Sequence, residues 1–317
     1  MNAPRRTPRR RLNGVLLIDK PLGFSSNQVL QKVKHLYRAE KAGHTGTLDP
    51  LATGLLPVCF GEATKFSAAL LDAGKRYVAT VQLGVVTDTA DAEGVVTEMR
   101  PVNVAQPDIE AALNAFLGES LQLPPMHSAL KRDGKPLYAY ARQGIVLDRA
   151  PRRILIDYIQ LLEWTNGQVV FEVSCSKGTY VRTLAVDLGE SLGCGGHLAA
   201  LRRTAIGSFD IARAYPLPLL ETLNEQEKDA LLLPPDVLLT HLTKVFLDVT
   251  DASRIRQGQA IRRPDMADQK LGAYEQETHR FLGVCRVEDG WLRPHRLMRR
   301  AADLDGAMLD KESRKTL

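Results

Sequence analysis

Residues 41–65 read KAGHTGTLDPLATGLLPVCFGEATK, and within that stretch Asp49 is a carboxylate set apart among small, turn-forming and apolar residues. Its nearest acids along the chain are Glu40 and Glu62. Preceded by Gly43, His44, Thr45, Gly46, Thr47 and Leu48 and followed by Pro50, it belongs to a shaped loop rather than to a solvated helix face. An aspartate before proline commonly closes an Asx turn or caps a helix. The other use of such a group is nucleophilic, because an ordinary pKa of about 3.9 leaves it ionised near pH 7 and able to attack carbon without a separate base.

A framework must hold that loop. Gly14 to Pro21 (GVLLIDKP) is a short apolar run closed by proline, which predicts a buried strand. Ser25 and Gln28 then form a capping-box pattern, with Val29, Leu30, Val33, Leu36 and Tyr37 on one helical face and Lys32, Lys34 and Arg38 toward solvent. Residues 76–86 alternate with the period of a strand, placing Tyr77, Ala79, Val81 and Leu83 on one side. A helix is expected from Pro107, buried along Ile109, Ala112, Leu113, Phe116 and Leu117 and ended by Gly118. Residues 124–144 mix Pro, Gly, Lys and Arg with few periodic apolar positions, as in a mobile excursion outside the core.

Residues 168–175 predict a further strand. From Thr179 a helix turns Val181, Leu184, Ala185, Leu188 and Leu192 inward, leaves Arg182 off that stripe, and stops at Gly193. Residues 219–240, with Pro234-Pro235, read as a connector to a smaller unit. That unit opens with a strand at 245–249 and contains a hairpin over 281–292 that turns at Asp289-Gly290. Strands and helices interleave with hairpins, which favours an α+β fold with a mixed sheet over a doubly wound one.

Composition narrows the function classes. A chain of 317 residues, 44% hydrophobic, can bury a full core and suggests two domains. No apolar run approaches the roughly 18 to 20 residues of a membrane-spanning helix, and the first twelve residues lack the apolar stretch of a secretory signal. Cys59, Cys175, Cys194 and Cys285 are far apart and form no C-x-x-C pair, so a reduced, cytoplasmic protein without a zinc site or a disulfide framework is expected.

The formal charge is +5, yet residues 1–11 alone carry five arginines and no acid, so the rest of the chain is neutral. Charge is segregated within that rest: residues 131–153 hold seven Lys or Arg against Asp133 and Asp148, and residues 81–120 hold seven acids against Arg100. A basic segment of this kind suits a nucleic-acid partner.

The blocks GVLLIDKP, GHTGTLDP, KRYVATVQLG and SKGTYVRTLAVDLGESLGCGGHLAALRRTAIGSF, which lie between residues 10 and 210, are similar to those of the TruB family of bacterial tRNA pseudouridine-55 synthases. The resemblance implies a mixed, mainly antiparallel central sheet of the pseudouridine synthase type. It also implies isomerisation of a uridine in the T loop of tRNA, with Asp49 as nucleophile, Arg182 pairing with it and orienting it, and Tyr77 stacked on the target base. His44 would enter the space around the flipped nucleotide, Tyr180 and Leu201 would line the uracil pocket, and Lys20 and Pro21 would serve architecture. No cofactor or metal is required. The base leaves and returns as its own nucleophile, so the acid and base pair of a hydrolytic glycosidase is unnecessary.

The same resemblance divides the chain into a basic disordered tail at 1–11, a catalytic domain at 12–240 with a thumb at 124–144, a β-rich PUA-like RNA-binding domain at 245–300 and a tail at 301–317. The thumb would close over the T loop and the last domain would hold the acceptor stem. A second role as a tRNA-folding chaperone fits the same surfaces. The guide-dependent relatives of archaea and eukaryotes share the core, but the basic insertion at 124–144 favours a stand-alone monomer that takes no guide RNA.

Overall fold

The run Gly14–Lys20 is apolar without alternation because both of its faces are covered. The computed structural model, which describes residues 8–128, 130–165 and 167–299, sends Leu16 and Ile18 into one cluster with Val29, Val33 and Leu220, and Val15 and Leu17 into another with Phe66, Leu70 and Ile206. Burial on two sides removes the period-2 signal a half-exposed strand would show. The helix Ser26–Leu36 begins at the capping box of Ser25 and Gln28 and lays Val29, Leu30 and Val33 on the first of these faces.

Among the described residues the main sheet has ten strands. Its path runs Tyr215–Pro216, Gly14–Lys20, Ala52–Phe60, Gly196–Ile206, Lys75–Leu83, Gln168–Cys175, Arg152–Thr165 and Gly118–Gln122. Ala42–His44 pairs beside Ala52–Phe60, and Phe209–Asp210 beside Gly196–Ile206. Gly14–Lys20 with Tyr215–Pro216 and Ala52–Phe60 with Gly196–Ile206 pair parallel, while the other pairings are antiparallel. The helices Gln106–Asn114 and Val181–Ser191 cover one face through Ile109, Leu113, Leu184 and Leu188, against Tyr77, Ala79, Val81 and Leu83. The fold is α+β on a mixed sheet, as the interleaved pattern suggests.

A second, five-stranded sheet follows in the order Thr243–Leu247, Lys270–Glu275, Phe281–Glu288, Trp291–Leu297 and Ile261–Arg262, packed with the helix Val249–Arg256. Its hairpin turns at Asp289 and Gly290, both with positive φ (53° and 70°), the conformation a two-residue turn of this hand demands. Phe281 and Phe66 meet edge to face at 5.4 Å, and Val284 joins the cluster under Gly14–Lys20, so this sheet leans on the first. Lys65 donates to the Leu297 carbonyl at 2.9 Å, and the Arg299 N–H donates to Glu62 at 2.7 Å.

Several expectations need correction. Gly118 opens a strand rather than ending a helix, since the helix closes at Asn114 and Gly118 (φ 94°) makes the bend between them. The strand placed at 245–249 spans Thr243–Leu247, and Asp248 caps the helix that starts at Val249. The connector at 219–240 carries two short helices, and its Leu220 is fully buried. Of the basic tail only residues 8–11 are described, and these are tied down: the Arg10 N–H donates to the Arg38 carbonyl, its guanidinium pairs with Asp229 and Glu225, and Arg11 pairs with Glu40. The expected tail at 301–317 lies outside the described residues.

The segment 124–144 contains a small hairpin, Lys131–Arg132 with Lys135–Pro136, and the helix Leu137–Ala141, with Ser128 and Leu137 buried against the body. The long strands Arg152–Thr165 and Gly196–Ile206 escape the sequence reading because register shifts cut their alternation into short stretches.

One glycine is required where the parallel crossover pairs Gly54 with Arg203. Its φ is +100° and a Cβ there would lie 2.3 Å from the Arg203 carbonyl oxygen. Gly54→Ala is therefore expected to lower unfolding free energy by about 2–4 kcal/mol through backbone strain and overpacking, read from urea denaturation.

Candidate active site

The loop that carries Asp49 is shaped by hydrogen bonds its neighbours make. The Thr45 N–H donates to the Pro57 carbonyl at 3.0 Å, and Gly46 takes the positive φ (74°) the bend needs. The buried Ser26 hydroxyl accepts from the Leu48 N–H at 2.8 Å and donates to the Leu48 carbonyl at 3.0 Å, clamping the residue before Asp49. Pro50 occupies the second position of a turn closed by the Ala52 N–H on the Asp49 carbonyl at 3.0 Å. The Asp49 side chain takes no part in that turn. Its Oδ2 lies 3.0 Å from Nη2 of Arg182.

Arg182 is the second residue of the helix Val181–Ser191. It is off the apolar stripe, as the sequence indicates, but only 7% exposed, because loops cover that flank. Its guanidinium reaches three acceptors: Asp49, Asp91 Oδ2 at 3.4 Å, and the His127 carbonyl at 2.6 Å. Asp91 was not legible as a site residue. It is 3% exposed and is fixed by the Thr89 hydroxyl at 2.6 Å and the Glu93 N–H at 3.1 Å. The signal that marked Asp49, an acid inside a run of turn-forming residues, is present in TDTADAEG as well, yet there it is masked by neighbouring acids.

Tyr77 and Arg203 face one another across paired strands. Arg203 is 1% exposed, donating from Nε to the Leu55 carbonyl at 2.7 Å and from Nη2 to the Gly46 carbonyl at 3.0 Å. Burial lifts the Tyr77 phenol above its ordinary value, against a smaller opposing pull from Arg203. Tyr180 is pegged by the amide of buried Gln122, which accepts from the Tyr180 N–H at 2.7 Å and donates to its carbonyl at 3.1 Å. Lys20, fully buried, donates to the carbonyls of Pro21 (3.1 Å), Phe24 (2.5 Å) and Pro50 (3.4 Å), and burial brings its ammonium down to about 8.

Asp49, Tyr77, Tyr180, Arg182, Leu201 and Arg203 line one cavity of about 280 Å³. His44 is not in it. His44 lines an adjoining cavity of about 490 Å³ on the other side of Asp49 and Arg182, with Ser25, Asn27, Glu93, Tyr138 and Arg142. Burial keeps the His44 imidazole below its usual pKa, so it is a neutral ring near pH 7, with Nδ1 enclosed and without a hydrogen-bond partner among the described residues. The arrangement thus offers a flat, partly aromatic slot with one carboxylate at its edge and a second chamber behind that edge.

Burial pushes the Asp49 carboxyl above the usual carboxylate range, and Asp91 adds to the rise, while Arg182 and Lys20 pull the other way. Some 45% of its side-chain surface still opens to the cavities. A carboxyl whose pKa is raised on folding contributes stability below its unfolded pKa and loses it as pH climbs through the folded one. Asp49→Asn should therefore unfold at a higher urea midpoint than the wild type at pH 7, with the difference shrinking toward pH 4. An unchanged or inverted difference contradicts this balance of charges.

Comparison with known proteins supplies independent information. Residues 34–181 match the TruB family pseudouridylate synthase N-terminal domain, 182–240 the tRNA pseudouridylate synthase B C-terminal domain, and 243–298 the C-terminal region of pseudouridine synthase II TruB. The chain is similar to a protein named tRNA pseudouridine synthase B from Thiobacillus denitrificans, 54% identical over 92% of this chain and 97% of that one. A protein of the same name from Cupriavidus taiwanensis is 51% identical over 94% and 98%. Among solved structures, the archaeal box H/ACA sRNP Nop10-Cbf5 complex superposes with a TM-score of 0.68 at 25% identity, over 92% of this chain and 88% of that one. The Cbf5-Nop10-Gar1 complex gives 0.65 at 28%, over 86% and 78%.

Proposed function

This chain belongs to the TruB family of pseudouridine synthases and is an RNA-modifying isomerase, and from that premise we propose that it converts uridine 55 in the T loop of tRNA to pseudouridine with Asp49 as nucleophile. The observation that carries the proposal is the Asp49–Arg182 pair at the edge of a slot walled by Tyr77, Tyr180 and Leu201. In this reading the target nucleotide leaves its stack and enters the slot, and Asp49 attacks it. The bond between ribose C1′ and uracil N1 breaks, the ring rotates in place, and C1′ bonds to C5 as the bond to Asp49 breaks; C5 gives up its proton and N1 takes one up. Atoms balance without water or cofactor, so one carboxylate suffices where hydrolysis needs two.

Arg182 keeps the nucleophile charged and aimed. Tyr77 acts by stacking, since a phenol raised by burial is a poor base near neutral pH. His44, neutral and planar in the adjoining chamber, fills the gap left by the extruded nucleotide. The segment 124–144 serves as a thumb over the T loop, tethered to the chemistry through the His127 carbonyl on Arg182. Residues 12–240 act as the catalytic domain, and residues 245–300, which hold most of the second sheet, act as the PUA-like domain that holds the acceptor stem. The enzyme works in the cytoplasm as a monomer without a guide RNA. A tRNA-folding role would use the same binding surfaces and not the carboxylate.

Asp49→Asn is expected to bind unmodified tRNA nearly as the wild type does while releasing no tritium from C5-labelled uridine; normal turnover would sink the assignment. The rate should also fall on the acid side with a midpoint above the ordinary aspartate value of about 3.9, because only ionised Asp49 attacks. Tyr77→Phe should retain most of the rate and Tyr77→Ala lose it by orders of magnitude. Equal losses in the two variants would show that the hydroxyl, not the ring, matters.

A further inference from the structure

We propose that the outer face of the helix Ser26–Leu36, continued by Arg9, is a phosphate-binding track for the RNA strand that leaves the catalytic cavities. The proposal rests on the reading of the site as RNA-modifying, and it adds a surface to that reading. The track begins at the site: Ser25, Ser26 and Asn27 line the cavity that holds His44 and Asp49. It ends in a separate groove of about 880 Å³ lined by Arg9, Gln31, Lys34, His35 and Arg38, with no acid in its wall among the described residues. Between these ends Asn27, Gln31 and Lys34 are spaced i, i+4, i+7 and share one helical face, and the Gln31 amide donates to Asn27 at 3.4 Å. From Asn27 to Leu36 the helix rises about 14 Å, enough to pass a short run of nucleotides of an extended strand.

The charge distribution along this helix is uneven in a way that favours one flank. Lys32, on the far flank, is neutralised by Glu221 at 2.6 Å, Arg38 is paired with Glu225 at 2.6 Å, and Arg10 points to Asp229 and Glu225. Arg9 and Lys34 have no carboxylate within 4.0 Å among the described residues. Lys34 and His35 also complement the negative end of the helix dipole, but that accounts for neither Arg9 nor Gln31. Arg9 comes from a different segment, held in place by the bridge between Arg10 and Ala39. Guanidinium, ammonium and carboxamide donors in a row match phosphate and ribose oxygens. A lipid surface would call for apolar side chains on the same face, and Asn27, Gln31, Lys34 and His35 supply none.

The test uses the full chain and an unmodified tRNA transcript, with affinity measured between about 50 and 200 mM salt. The Arg9→Gln, Lys34→Gln double variant should bind several-fold more weakly and show a log–log salt slope shallower by about 1.4–1.8, the loss expected for two phosphate contacts at about 0.7–0.9 each. Lys32→Gln removes an equal charge from the same helix and should leave the slope unchanged. A wild-type slope in the double variant overturns the track. So does a slope reduced as much per charge by Lys32→Gln, which would indicate a diffuse field. Tritium release by the wild type, measured in parallel, separates the two levels: normal release with unchanged slopes removes only the track, and absent release removes the reading of the site itself.

Discussion

Everything at the site turns on the guanidinium of Arg182 being buried and shared. An arginine taken out of water costs several kcal/mol unless its donors are met, and here two carboxylates and a backbone carbonyl meet them. Asp91 is enclosed and bonded from two further sides, so it acts as the fixed anchor of the pair. Asp49 keeps nearly half of its side-chain surface open, so it is the member left available for chemistry. The third acceptor, the His127 carbonyl, belongs to the inserted segment at 124–144, and the same cation therefore joins Asp49 to that segment.

The sheet supports this arrangement by putting polar groups where they cannot reach water. Arg203 stands across from Tyr77 on one neighbouring strand and from Gly54 on the other, and its donors hold the carbonyls of Gly46 and Leu55. Lys20 does the same for the backbone on the other side of the loop, at Pro21, Phe24 and Pro50. Each of these cations finds backbone carbonyls rather than a carboxylate of its own among the described residues, and Lys20 opposes the rise that burial imposes on Asp49. The bulge between Leu198 and Ala200 has a related effect, freeing the Leu198 backbone to exchange hydrogen bonds with Ala90 and Ala92, which sets Asp91 in place.

Much of the fold could be read from the residues because local rules and tertiary demands agree there. The capping box at Ser25, the alternation from Tyr77 to Leu83 and the Asp289-Gly290 turn each have a short-range cause and appear where expected. Gly118 misled because a positive-φ glycine ends a helix or opens a strand equally well. The strands Arg152–Thr165 and Gly196–Ile206 were hidden by bulges that break the period of two, a feature decided by neighbouring strands and not by the residues themselves.

At the site the division is sharper. That Asp49 sits in a shaped loop, that Arg182 starts a helix off its apolar stripe, and that Tyr77 lies on the inward face of a strand all follow from local patterns, since turn chemistry and periodicity act over a few residues. Packing between distant segments settles that Arg182 is buried, that Asp91 shares it, that Arg203 stands across from Tyr77, and that His44 lines the adjoining cavity rather than the one lined by Tyr77 and Leu201. Those facts depend on which loops close over which strand ends, and the desolvation and Coulomb forces that result join residues as far apart in the chain as Asp49 and Arg182, a separation no local pattern encodes.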